Sequence, residues 1–127
     1  MRQYITVGLA MLAGAALGAA AINKLNAQTA PGAYVVVDIS AITNDADFRT
    51  LIPKTGPSNA AFGGQFVART ENIVALDGTP PKRFVLIAFD TIDRAKAWFE
   101  SPAQKEIYTI NKRSTNSRTF IVDARIQ

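Results

Sequence analysis

Tyr34, Asp38, Arg69, Trp98 and Asp123 are the side chains of this sequence whose types could act together on a small molecule. Asp38, Asp123 or the Tyr34 phenol would accept a proton, and Arg69 would stabilise the anion that results. Tyr34 and Trp98 would supply aromatic walls. The competing reading is structural: Arg69 pairs with Asp38 or Asp123 inside a sheet, because a charge in a partly apolar setting needs a partner. Candidates are scarce because the chain has no Cys and no His. That excludes disulfides, thiolate nucleophiles, cysteine-bound zinc and iron–sulfur clusters, and Ser–His or Cys–His catalysis. It also removes the axial ligand of a haem-degrading enzyme. No Asp/Glu group has the spacing of a calcium loop, so neither metal nor cofactor is expected.

The charge balance says little about partners. The chain of 127 residues carries 14 basic and 10 acidic side chains, a net charge of +4. "KRSTNSR", Lys112 to Arg118, is the densest basic stretch, but no aromatic residue interleaves with it. It reads as a solvated loop, and nucleic acid is not an expected partner.

The first 27 residues have the layout of an export signal. Arg2 is followed by an uncharged run from Tyr4 to Ile22, and small residues precede Ile22 and Gln28. The general secretory route fits, since no arginine pair is present. An uncleaved membrane anchor is the alternative: the run approaches the ~20 residues of a bilayer span, and Gly14 and Gly18 form a G-x-x-x-G pair. Ala and Gly dominate the run, which makes it a weak permanent span. The expectation is a periplasmic protein or, on the alternative, one anchored in the inner membrane and facing the periplasm. Any membrane contact would be through this segment alone. Residues 28–33 read as a linker and residues 34–127 as the folded domain.

These candidates must be held by strands and helices that the pattern allows. "YVVVDISAI" alternates as a strand, with Val35, Val37 and Ile39 on one face and Tyr34, Val36 and Asp38 on the other. "TNDADFRTLI" reads as a helix capped by Thr43, Asn44 or Asp45, which Pro53, Gly56 and Pro57 should break or kink. A second helical piece is expected from Ser58 to Phe62. "QFVART" is a strand that could continue through "NIVAL", and "KRFVLIAFD" is a strand apolar on both faces. A helix capped by Asp90 or Thr91 follows, interrupted at Pro102, with Ala103, Ile107 and Ile110 on the next stripe. "RTFIVDARI" is the last strand.

The order βα–β–βα–β is the split βαβ, ferredoxin-like pattern of the α+β class. Both helices lie on one face of a four-stranded antiparallel sheet, and the other face is left bare. That bare face is expected to hold Val36, Val85, Ile87, Phe89 and Ile121. Water would rarely be left against such a patch, so a homodimer with two sheets packed face to face is expected. Trp98 falls on the flank of the Ile92–Ala95–Phe99 stripe. It is expected to be partly buried, with its N–H satisfied at an edge, as a seal between helix and sheet or as the wall of a pocket.

"FGGQFVART", "LDG", "KRFVLIAFDTIDRAKAWFESP" and "FIVDA", in this order, resemble the bacterial domain of unknown function 1330 family. The resemblance covers about Ala33 to Ala124 and rests on Gly63, Gly64, Phe66, Arg69, Gly78, Phe89, Ala95, Trp98, Ser101 and Pro102. It implies a dimeric α+β barrel of ferredoxin-like halves and no agreed activity. The chain departs from the family pattern at Gln65, where arginine is frequent. It departs also at Phe48, Leu51 and Phe62, near which tyrosines are frequent, at Ala103-Gln104, and at Asn111.

Three functions remain open on the sequence: an exported small-molecule-binding or accessory domain, a cofactor-independent oxygenase or isomerase, and a structural envelope oligomer without a ligand. The enzyme reading is analogy at the level of fold. A pocket into which an unpaired Arg69 points would favour the first two, and a barrel filled with side chains the third.

Overall fold

The computed structural model describes residues 30–127. The elements run β1 (Ala33–Ile42), α1 (Asp45–Ala60), β2 (Gln65–Thr70), β3 (Arg83–Phe89), α2 (Ile92–Glu100), α3 (Pro102–Ser114) and β4 (Thr115–Asp123). The strands form one four-stranded sheet in the order β2-β3-β1-β4, with every neighbour antiparallel. This is the expected ferredoxin-like arrangement, with the helices on one face. The export segment expected over residues 1–27 lies outside the described residues.

Register decides which side chains meet. Val35 pairs with Ile87 and Ile121, and Val36 pairs with Leu86 and Phe120. Val35, Val85, Ile87, Phe89, Ala95 and Trp98 therefore form one core cluster under the helices, with Ile121 packed against it. A second cluster joins Ile39, Phe48, Leu51, Ile107 and Ile110. The face away from the helices carries Val36, Leu86, Phe120 and Val122. This corrects the expected assignment: Val85, Ile87, Phe89 and Ile121 belong to the covered face. β3 is apolar on both sides, so alternation alone leaves its parity open, and only the pairing with β1 sets it.

Helix α1 runs unbroken through Pro53 and Pro57, against the expected break and second helical piece. The two prolines are four residues apart and so share one face, and both are exposed. The carbonyls that lose their helical donor are those of Arg49 and Pro53, on the same outer side, where water can satisfy them. Of the possible caps, Asn44 is used, its Oδ1 accepting from the Asp47 N–H at 3.1 Å. Thr91 caps α2 in the same way, and Ser101 caps α3 with Pro102 at its first turn.

β2 ends at Thr70, and residues 71–82 that follow are mostly exposed and irregular. The strand does not continue through "NIVAL" because Asn72 turns back, its N–H donating to Thr70 Oγ1 at 2.9 Å. The expected loop at Lys112–Arg118 is absent: α3 passes directly into β4. Its charges are exposed as expected, but they are tied down. Arg113 pairs with Asp47 and Arg118 with Asp38, each at 3.0 Å. On α3 the inward stripe is Gln104, Ile107, Ile110, Asn111 and Ser114, and Ala103 points outward.

The end of α1 is closed by the glycine pair. Gly63 adopts φ +76°, a conformation that side chains disfavour. Gly64 donates to the Asn59 carbonyl at 2.8 Å. A Cβ on Gly64 would stand 2.7 Å from the Phe89 ring and 3.1 Å from that carbonyl. The glycine therefore lets the turn press Asn59 and Phe89 together beside Trp98.

Candidate functional site

A cavity lies between the helices and the covered face of the sheet, next to a second, more open hollow lined by Val35, Ala95, Trp98, Phe99 and Ile121. Its apolar walls include Phe48, Leu51, Phe66, Ile87, Phe99 and Ile107. The cavity volume is about 60 Å³, above the roughly 10–15 Å³ that a single water requires.

The polar groups on this cavity come from all three helices and from the sheet. Thr55 and Asn59 stand one turn apart on α1, continuing the stripe begun by Phe48 and Leu51. Trp98 comes from α2, Gln104 and Asn111 from α3, and Arg69 and Arg83 from β2 and β3. Gln104 and Asn111 are engaged: Gln104 Oε1 accepts from Ser58 Oγ at 3.0 Å, and Asn111 Nδ2 donates to Ser117 Oγ at 3.0 Å. Asn59 and Trp98 are not. Each is 2 % exposed, and the Asn59 Nδ2 and Oδ1 and the Trp98 Nε1 have no hydrogen-bond partner among the described residues. A buried polar group left unmet costs about 1–3 kcal/mol, so native structures keep few of them.

Trp98 is thus more buried than its flank position suggests, and its N–H is not met at an edge. The inward line of α2 is centred on Ala95 and Trp98, with Ile92 and Phe99 to the sides. The indole stacks obliquely on Phe89, ring centres 5.2 Å apart, and touches Phe99 at 6.1 Å. It is both seal and wall.

Arg69 reaches the cavity through a β-bulge. Phe66 pairs with Ile87 and Ala68 with Leu86, so Val67 is the extra residue. After the bulge the alternation is inverted, and Arg69, opposite Val85, joins Phe66 on the covered face. The guanidinium lies 4.4 Å from the Phe66 ring centre, and its Nη1 donates to Thr55 Oγ1 at a long 3.4 Å. The expected ion pair of Arg69 with Asp38 or Asp123 is absent. Asp38 is on the open face, directly opposite Arg118, to which it is paired. Asp123 is held by Arg125, with Nη2 2.8 Å from Oδ2.

Tyr34, Asp38 and Asp123 are therefore not on the cavity. Tyr34 and Asp38 share the even-numbered face of β1 with Val36, away from the helices. Asp123 lies at the far end of β4. The side-chain and backbone hydrogen bonds from Arg125 hold its carboxyl at about 2, which suits an ion-pair partner and not a base at neutral pH. This depression stabilises the folded chain above the ordinary aspartate range, and the contribution is lost as pH falls through about 2. A carbon-detected NMR titration should place the Asp123 midpoint near 2 and return it to the ordinary range in Arg125→Gln. An unchanged midpoint in that variant would refute the assignment.

Of the sequence candidates, Arg69 and Trp98 come together. The residues that sequence reasoning missed are Asn59, Thr55, Arg83 and Tyr108. For Thr55 and Asn59 the signal was an unbroken α1, whose apolar stripe ends in these two polar residues; Arg83 and Tyr108 had no such signal. Among the described residues no Asp or Glu lines the cavity, and no group of three or more metal-ligating side chains comes together. The site can enclose an apolar body, offer it unmet donors and an acceptor, and meet a negative charge. It has no carboxylate with which to take a proton.

The fold recurs in solved structures. A protein of unknown function from Rhodopseudomonas palustris matches with a TM-score of 0.59 and 11% identity, over 82% of this chain and 94% of its own. SnoaB, a cofactor-independent oxygenase from Streptomyces nogalater, matches with a TM-score of 0.51 and 20% identity, over 75% of this chain and 94% of its own. At these identities the likeness is one of fold. No functionally curated protein matches the chain. The sequence profile of the domain of unknown function 1330 (DUF1330) matches residues 32–125, and it spans every strand and helix described above. The chain belongs to the DUF1330 family.

Proposed function

We propose that this protein is an exported, homodimeric domain that binds a small molecule between its helices and its sheet. The observation that carries the reading is the pair of buried side chains, Asn59 and Trp98, whose polar atoms are unmet on the wall of an apolar cavity. A core built only for stability would place apolar groups there. Arg69 adds support, because it lines the same cavity and has no carboxylate partner among the described residues. A purely structural role would leave the space filled and the arginine paired.

A cofactor-independent oxygenase is the second reading, suggested by the fold shared with SnoaB. Such chemistry needs a group to take a proton from the substrate. Asp38, Asp123 and Tyr34, the bases expected from sequence, all lie off the cavity, and Tyr108 is the one group of those types on its wall among the described residues, so binding is the better-supported function.

Support for dimerisation comes from the open sheet face. Phe120 and Val122 are 40% and 41% exposed there, beside Leu86 and Val36. A second copy, packing the same face of its own sheet, would cover an apolar patch that a monomer would leave in water. Native mass spectrometry of the protein from the envelope fraction of its own host tests the whole reading. A dimer of chains lacking the first 27 residues, carrying a small-molecule adduct that collisional activation removes, is expected. A full-length chain in the cytosolic fraction would defeat export, and a ligand-free monomer would defeat the rest.

A further inference from the structure

The cavity has a charge sign as well as a size. Among the described residues, Arg69 and Arg83 are its only charged lining residues. They are diagonal neighbours on the covered face: Arg69 is opposite Val85, and Arg83 is two residues further along β3. Each guanidinium is laid against a ring of the cavity wall, Arg69 on Phe66 at 4.4 Å and Arg83 on Phe48 at 5.6 Å. Neither belongs to an ion pair among the described residues, whereas Arg49, Arg113, Arg118 and Arg125 all do. The nearby charges on the helices are already matched, Lys54 with Glu106 at 2.6 Å and Arg113 with Asp47.

Two like charges on adjacent strands repel, and the repulsion falls when an anion sits between them. Arg69 is exposed and Arg83 half-buried, while Asn59 and Trp98 are buried. Positive charge is therefore at the mouth, and apolar wall with neutral donors lies behind it. The interior of about 60 Å³ has room for a compact apolar group.

We infer that the ligand is a small monocarboxylic acid: its carboxylate is held between Arg69 and Arg83 at the mouth, and its compact apolar tail enters the cavity. A planar carboxylate matches the fork of an arginine, and two forks fix its orientation. The tail packs against Phe48, Leu51, Phe66 and Ile107. This rests on the cavity being a binding site, and it adds the class of molecule.

Calorimetry on the dialysed full chain with benzoate, its neutral isostere benzamide, and acetate tests it. Benzoate is expected to bind at least tenfold more tightly than benzamide, and acetate, which lacks the tail, at least tenfold more weakly than benzoate. Arg69→Met and Arg83→Met are each expected to weaken benzoate binding at least tenfold and to leave benzamide within twofold. The circular dichroism spectrum and melting temperature of each variant establish that it is folded. Rising salt should weaken benzoate and spare benzamide. Equal binding of benzoate and benzamide, unchanged by either substitution, would overturn the carboxylate assignment and leave the cavity standing as a site for neutral molecules. Tighter binding of acetate than of benzoate would overturn the apolar tail. Binding of none of the three at millimolar concentration would overturn both the inference and the cavity as a site.

Discussion

Leu86→Asp is expected to leave a folded monomer, and Ile87→Asp, one residue further, is expected not to fold. The two side chains leave β3 in opposite directions. Ile87 lies 3 % exposed beneath the helices, in the cluster with Val35, Phe89 and Trp98. An aspartate there would bury a charge in an apolar cluster. Uncompensated burial of that kind costs about 3–5 kcal/mol, on top of the lost apolar contacts, against a total stability of roughly 5–15 kcal/mol for a domain. Leu86 is only half-buried, with Val36 and Phe120 for neighbours on the open face. In a lone chain its aspartate would reach water. In a dimer built on that face it would be shut between two sheets, opposite its own copy or close to it. Sedimentation of both variants at micromolar concentration, with far-ultraviolet circular dichroism to record folding, reads out the difference. A Leu86→Asp chain that still sediments as a dimer would remove this face as the interface. A folded Ile87→Asp chain would contradict the register itself.

That contrast marks what the sequence could and could not carry. The element order, the sheet topology and the helix-on-one-side layout were all legible, because they follow from alternation, caps and turn residues within short windows. The parity of β3 was not. Phe84, Leu86 and Ala88 are as apolar as Val85, Ile87 and Phe89, and the distinction arises only from pairing with β1, fifty residues away in the chain. Arg69 lines the cavity, but it does so from the face opposite to the one expected. The bulge at Val67 inverts the alternation, and nothing in "QFVART" announces it. Asn59 was lost for another reason: Pro53 and Pro57 read as helix breakers, although their four-residue spacing keeps both on the solvent side of an intact helix. A polar residue ending an apolar stripe is visible in a sequence only once the helix that carries it has been drawn to its end.

Asn59→Leu should raise the stability of the ligand-free protein. Leucine keeps the branched shape of asparagine while removing a donor and an acceptor that have no partner among the described residues. Replacing an unmet buried polar group with an apolar one of similar shape is expected to recover about 1–2 kcal/mol. In a domain of this size that corresponds to roughly 4–8 °C in melting temperature per kcal/mol. The backbone of residue 59 is unaffected by the change: its carbonyl still accepts from Phe62 and Gly64 and closes the helix. The control is Asn59→Ala, which removes the same polar atoms but also enlarges the cavity, so its gain should be cancelled or reversed. If Asn59 serves a ligand, the stabilised leucine variant should also bind less tightly, by about tenfold for each 1.4 kcal/mol of hydrogen bonding forgone. Stability and binding would then move in opposite directions at a single side chain. A residue that only supports the fold cannot behave in this way, since losing its contacts lowers stability and leaves affinity to follow. A melting temperature that falls in Asn59→Leu by several degrees would show that the asparagine is held in the folded chain, and the cavity would lose the group that most distinguishes it from ordinary core.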